Sequence, residues 1–223
     1  MNCGDTKMSM HISNKNEIYK NKGLSGLSNL GNTCFLNSVM QILSHTYELN
    51  DFLNKNNYKQ RLNNKPESIL LVEWDNLRNV LWTDNHIVSP MRFVKTVHKL
   101  AQTKDMPLFS GFSQNDTSEF LIFVIDCFHV ALSRNVSMNI EGCPKNKTDE
   151  MAIRCFQTVK RMFENDYSEI WQMFYGTQVS QLKDMDHDEL IRMHPEPFFV
   201  LNLPIPGKKE PSLIDCFNAY VEG

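Results

Sequence analysis

Apolar residues recur at helical spacing along the chain as far as Phe174, and the period changes after it. Behind Cys34, the residues Phe35, Val39, Ile42 and Leu43 lie three or four apart and predict a helix. A second helix is predicted from Glu67 to Leu81, with Leu70, Trp74, Leu77 and Leu81 on one stripe. A third opens at "SPMRFVKTVHKL". There Ser89 is the expected cap, Pro90 suits the first helical position, and Phe93, Val94, Val97 and Leu100 form the face. The run "FSGFSQNDTSEFLIFVIDCFHVAL" passes through a Gly-Ser loop into a strongly apolar helix from about Asp116 to Leu132. An amphipathic stretch follows from about Glu150 to Phe163 and points on towards Trp171.

Beyond Phe174, "FYGTQVSQL" and "PFFVLNLPI" alternate and carry β-branched and aromatic residues, so both read as strands. The charged run "KDMDHDELIRMHPE" between them reads as a turn. "SLIDCFNAYV" reads as a short helix opened by Ser212. Residues 1–22 are polar and aperiodic and read as a flexible tail.

Composition narrows the function classes. The chain has 223 residues with 41% apolar and 22% charged, enough for a core that needs no staples. A net charge of −3 with dispersed Lys and Arg argues against a nucleic-acid partner. No apolar run approaches the ~20 residues of a membrane span. The N-terminal stretch lacks the apolar centre of a signal peptide. Six cysteines without a C-x-x-C pair read as reduced thiols, so a cytoplasmic or nuclear location is expected. The sequons at Asn115, Asn135 and Asn146 are then chance occurrences.

The chemistry concentrates at "GLSNLGNTCFLNSVMQIL", Gly26 to Leu43. A thiol in the first turn of a helix sits among unpaired backbone N–H groups at the positive end of the dipole, which favours the thiolate. Asn32 or Thr33 is available as a cap, and Gly31 permits close approach just before it. Acyl transfer also needs donors for an oxyanion. The Cys34 N–H is one, and the side-chain amide of Asn29 is another. Taken alone, such a cysteine is more simply a small buried hydrophobe.

The whole stretch closely resembles the cysteine box of the ubiquitin-specific proteases, from Gly26 and Leu27 through Asn29, Gly31, Asn32, Thr33 and Cys34 to Gln41 and Leu43. "FSGFSQNDTSEFL", Phe109 to Leu121, resembles the second family box, with Gln114, Asp116, Glu119, Phe120 and Leu121 matching. Asn115 and Thr117 depart from it. The resemblance implies an α+β, papain-like cysteine proteinase fold: a helical thumb with the start of the fingers and palm β-sheet. It implies Cys34 as nucleophile and Asn29 as oxyanion donor. Asp116 and Glu119, with Gln114, would grip the arginine-bearing tail of ubiquitin. Two carboxylates on one helical face suit a guanidinium, although helix capping is their plainer use. The partner implied is ubiquitin or a ubiquitinated protein. The expected division is a tail over 1–22, a thumb over 23–172 and an incomplete fingers and palm region over 173–223.

Two family features are missing. Between Gln178 and Pro197 there is no cysteine, so no structural zinc and no cofactor are expected. His187, His194, Asp184, Asp186 and Asp188 read as a charged hairpin tip. No histidine stands in a Gly-His-Tyr-like segment. His45 follows Cys34 by eleven residues, which at 1.5 Å per residue is ~16 Å along the helix. His98 and His129 read as helix-face residues. A fragment of a longer protease, a natural short binding module, and a site completed by another chain all account for this; the first leaves the intact nucleophile with a purpose. An unpaired palm edge is expected to invite association.

Overall fold

The computed structural model describes residues 19–55, 57–184 and 190–222. Two compact units divide the chain. One comprises the described residues up to Asn135 together with Asp166–Met173; the other comprises Val136–Asn165 and the described residues from Phe174 onward. The thumb expected over 23–172 is therefore split. Residues 136–165 pack with the hairpin because their own helix lies against its second strand.

In the first unit, β1 (Gly26–Leu27) precedes α1 (Cys34–Ser44) and α2 (Tyr47–Asn54). A 3-10 turn at Asn57–Arg61 leads to α3 (Glu67–Thr83), β2 (Ile87–Val88) and α4 (Met91–Thr103). A second 3-10 turn, Pro107–Phe109, precedes α5 (Thr117–Leu132). The helices expected behind Cys34, over Glu67–Leu81 and over Asp116–Leu132 are all present. The third begins at Met91 with Pro90 at its N-cap and no capping side chain, so Ser89 does not take the role expected of it.

α3 packs on both α4 and α5, and α5 packs on α1. Fully buried Trp74 anchors this core, 6.2 Å from the Phe93 ring and 6.4 Å from that of Phe128. Each such side chain contributes on the order of 1.5–3 kcal/mol when removed from water. One polar cluster shares the interior. The Tyr58 hydroxyl donates to Asp75 Oδ2 at 2.6 Å, and Arg78 Nη2 donates to Asp75 Oδ1 at 2.7 Å. Burial, then the bond to Asp75, pushes the Tyr58 hydroxyl far above the usual tyrosine range.

The segment Asp166–Met173 returns to this unit through paired backbone bonds between Arg134 and Tyr167, at 3.0 and 2.9 Å. Arg134 also holds Glu169 with both guanidinium nitrogens, at 2.9 and 2.7 Å, and Arg61 bonds the same carboxylate.

In the second unit, α6 (Lys147–Phe163) is capped by Asn146, whose Oδ1 accepts from Asp149 N at 2.9 Å. After α7 (Glu169–Phe174), which lies in the first unit except for its last residue, the chain forms an antiparallel hairpin of β3 (Gly176–Lys183) and β4 (Leu190–Phe198) in the second unit. The second strand expected at 197–205 is thus displaced towards the N-terminus. Among the described residues of the charged run read as a turn, Lys183 and 190–196 are strand, because alternating polar residues suit a two-stranded ribbon open to solvent. Pro204 and Pro206 leave 199–206 without a ladder. α8 (Leu213–Glu222) opens as expected at Ser212, whose Oγ accepts from Asp215 N while Asp215 Oδ2 accepts from Ser212 N.

Candidate active site

Cys34 is the first residue of α1 and is exposed. The turn before it requires two left-handed residues, Gly31 at φ +102° and Asn32 at φ +52°. A Cβ at Gly31 would meet nothing within 4 Å. The glycine is therefore there for its backbone angle, and the close approach expected at that position is not the reason.

Asn29 organises this turn. Its Oδ1 accepts from Gly31 N, Thr33 N and Thr33 Oγ1, each at 3.1 Å. Three donors fix which end of the amide is oxygen, so the NH2 end is left as a directed donor for an acceptor outside the turn. The buried hydroxyl of Thr33 also accepts from Leu30 N at 3.0 Å. Neither Thr33 nor Asn32 caps α1 through its side chain, contrary to the expectation from sequence. Thr33 is occupied within the turn. Asn32 instead reaches across to donate to the Phe112 carbonyl at 3.1 Å. The N–H groups of Cys34, Phe35 and Leu36 open the helix without intrahelical partners, as every first turn does.

Two side chains that sequence reading assigned no role hold the strand side of the turn. Asn37 Nδ2 donates to the carbonyls of Leu27 and Ser28 at 3.3 and 3.1 Å, and Gln41 Nε2 donates to Ser25 O at 2.8 Å. Amides four apart on an otherwise apolar helix were the available signal, since they share a face. β1 and β2, paired in parallel with Gly26 opposite Ile87 and Leu27 opposite Val88, anchor the other side.

Beneath the turn lies an aromatic cluster. Phe35 meets the Phe120 ring edge-on at 5.1 Å, and Phe109 lies 5.4 Å from Phe120 and 5.0 Å from Phe123. This packing seats the start of α5 against α1. Asp116 is the N-cap of α5, with Oδ1 accepting from Ser118 N at 2.8 Å and Glu119 N at 3.0 Å. Capping thus uses one of its oxygens. Gln114, Asp116 and Glu119 are all exposed. The structure therefore brings the cysteine turn and the segment bearing these residues together through Asn32 and the aromatic cluster.

The described histidines do other work. His45 closes α1 at its C-terminal end, as the spacing predicted, with Nδ1 at 2.9 Å from Gln41 O. His129 stands between Ser168 Oγ at 2.8 Å and Asp166 Oδ2 at 3.2 Å. That trio has the composition of a hydrolase triad, but Ser168 is fully buried and its Oγ already accepts from Trp171 N, so no substrate reaches it. His98 packs its ring on Phe112 at 5.0 Å. His194 lies 3.2 Å from Glu196, and His187, Asp186 and Asp188 lie outside the described residues. No cluster of three metal-ligating side chains occurs among the described residues.

The family model for ubiquitin carboxyl-terminal hydrolase matches residues 25–195. The chain belongs to this family. Human ubiquitin carboxyl-terminal hydrolase 2 is 33% identical over 211 residues, covering 90% of this chain and 33% of that protein. The Drosophila melanogaster hydrolase Usp2 is 32% identical over 203 residues, covering 91% of this chain and 21% of that protein. The chain thus spans a third or less of these relatives. Among solved structures, the SAGA Ubp8/Sgf11/Sus1/Sgf73 DUB module bound to ubiquitin aldehyde matches with a TM-score of 0.59 at 20% identity, over 89% of this chain and 38% of that one. A substituted form of the same module bound to monoubiquitin matches with a TM-score of 0.57 at 18% identity, over 99% and 46%. This hydrolase family member therefore carries the mixed helix-and-strand fold that its sequence implied.

Proposed function

We propose that this chain carries the nucleophile and the tail-binding half of a cysteine-type deubiquitinase. The Cys34 thiolate attacks the carbonyl of the terminal glycine of ubiquitin. The tetrahedral oxyanion accepts from the Cys34 N–H and from Asn29 Nδ2. Its collapse expels the protonated amine and leaves a thioester, which water cleaves to the free carboxylate and the thiol. Asp116, through its uncapped oxygen, and Glu119 pair with guanidinium groups of the ubiquitin tail, and Gln114 lines the same approach. Among the described residues no histidine hydrogen-bonds Cys34, so the base is supplied by protein beyond these residues. A reducing compartment, cytosol or nucleus, keeps Cys34 a thiol.

The observation that carries this reading is the exposed Cys34 at a helix start, preceded by an amide whose oxygen is tied down by three donors. The test is covalent capture by ubiquitin bearing a C-terminal electrophile. Capture should occur and vanish in Cys34→Ala. Asp116→Asn keeps a capping oxygen but removes the charge, and with Glu119→Gln it should slow capture by about tenfold or more. Reversible binding without capture would instead support a catalytically silent ubiquitin-binding module. That second reading draws on the engagement of His45, His98 and His129 with partners other than the nucleophile.

A further inference from the structure

The segment 110–116 joins two anchored points, the buried Phe109 and the Asp116 cap of α5. Two contacts from outside hold its middle. The His98 ring on α4 meets the Phe112 ring edge-on at 5.0 Å, interplanar angle 86°. The Asn32 amide donates to the Phe112 carbonyl. Phe112 itself is 53% exposed, so burial of its own side chain contributes little to fixing its place. Burial holds the imidazole below the ordinary histidine range, with the nearby Gly111 backbone opposing, so the ring is neutral at pH 7.

From this geometry we infer that His98 is a positioning residue of the site. It holds the Phe112 ring from the α4 side, so that the Phe112 carbonyl stands where Asn32 can reach it. Asn32 is one of the two left-handed residues of the turn that delivers Cys34. The clamp therefore couples α4 to the nucleophile turn and, along the same segment, to Gln114 and Asp116. Phe112, held by its ring against His98 and by its carbonyl against the Asn32 amide, is a link between loops that share no secondary structure. The effect on ubiquitin rests on the deubiquitinase reading; the coupling of the two loops does not.

The test compares His98→Leu, which keeps bulk against Phe112 but no aromatic edge, with His98→Phe, which restores an aromatic ring. Hydrogen exchange needs no substrate. In His98→Leu, amides of 110–115 and of 29–33 should exchange about tenfold faster, with the core amides of α3 unchanged, and His98→Phe should return both to within about twofold of the parent chain. Capture by electrophilic ubiquitin should slow by about tenfold in His98→Leu and recover in His98→Phe. Phe112→Ala removes the ring from the exposed side and should also loosen 29–33, which keeps the question decidable if His98→Leu does not fold. Faster exchange confined to 110–115, with 29–33 unaltered, overturns the coupling. Unaltered exchange in both segments overturns the clamp. Should the parent chain fail to react with ubiquitin at all, the deubiquitinase reading falls while the exchange comparison still decides the role of His98.

Discussion

Asn29 holds the turn by its oxygen, and the proposed oxyanion role falls to its other end. Asn29→Asp keeps an acceptor for Gly31 N, Thr33 N and Thr33 Oγ1 but deletes the NH2 donor. The turn should survive, with a melting temperature close to the parent. Formation of the adduct with ubiquitin aldehyde should weaken on the order of 10²-fold, as for other oxyanion donors. An unchanged adduct would remove Asn29 from the oxyanion role. Thr33→Val is the complementary change: same shape, no hydroxyl. It orphans the Leu30 N–H and loosens Asn29, and should cost about 1–3 kcal/mol of stability by denaturant titration. The two boxes that carry Cys34, Asn29, Asp116 and Glu119 were legible in the sequence because their spacing is local. The contacts of Asn37 and His98 were not, because the fold delivers their partners, the Leu27 and Ser28 carbonyls and the Phe112 ring.

At the level of elements, α1 and α5 meet through the aromatic cluster, and that contact sets the distance between Cys34 and the segment bearing Gln114, Asp116 and Glu119. Phe120 is fully buried within it. Phe120→Ala should destabilise the first unit by about 3–5 kcal/mol, and should slow capture more than an equally destabilising change far from α1. Two ion pairs make the same unit sensitive to acid. Burial pushes the Glu67 and Glu169 carboxyls up, but the Lys104 ammonium at 2.8 Å from Glu67 and the Arg134 guanidinium on Glu169 outweigh it. Both carboxyls therefore sit below the ordinary glutamate value. Folded pKa values below the unfolded ones mean the unfolded chain takes up protons first as pH falls. The stability they contribute is complete above about pH 5 and is lost as pH drops through and below the glutamate range. Denaturant midpoints between pH 6 and 3 should fall on this course, and more shallowly in Glu169→Gln. A midpoint that rises on acidification would reverse the sign and refute the assignment. Helices α1, α3, α4, α5, α6 and α8 were readable from periodicity, and the eight-residue α2 was not. The second strand was not, since a polar ribbon lacks the apolar alternation that marks a strand.

For the molecule as a whole, the second unit presents unusual apolar exposure. Ile205, Leu213, Ile214 and Val221 are 80%, 66%, 71% and 80% accessible, beside a two-stranded hairpin whose outer edges are unpaired among the described residues. Exposed edges and apolar faces favour association. Sedimentation velocity on this chain should show species heavier than a monomer growing with concentration, and Ile214→Lys with Val221→Lys should suppress them. A strictly monomeric parent at about 100 μM would sink that expectation.

What the sequence determined alone is whatever depends on neighbours along the chain: helix periods, the Ser212 cap, and the two boxes that identify the family. The tertiary structure decided the rest. It tied Asn29 by its oxygen, turned Asn32 from a cap into a link to Phe112, set His98 on that link, and grouped α6 with the hairpin. The physical reason is common to all four. A polar side chain satisfies its hydrogen bonds with whichever donor or acceptor packing brings near, and packing is settled by apolar burial between segments far apart in the chain.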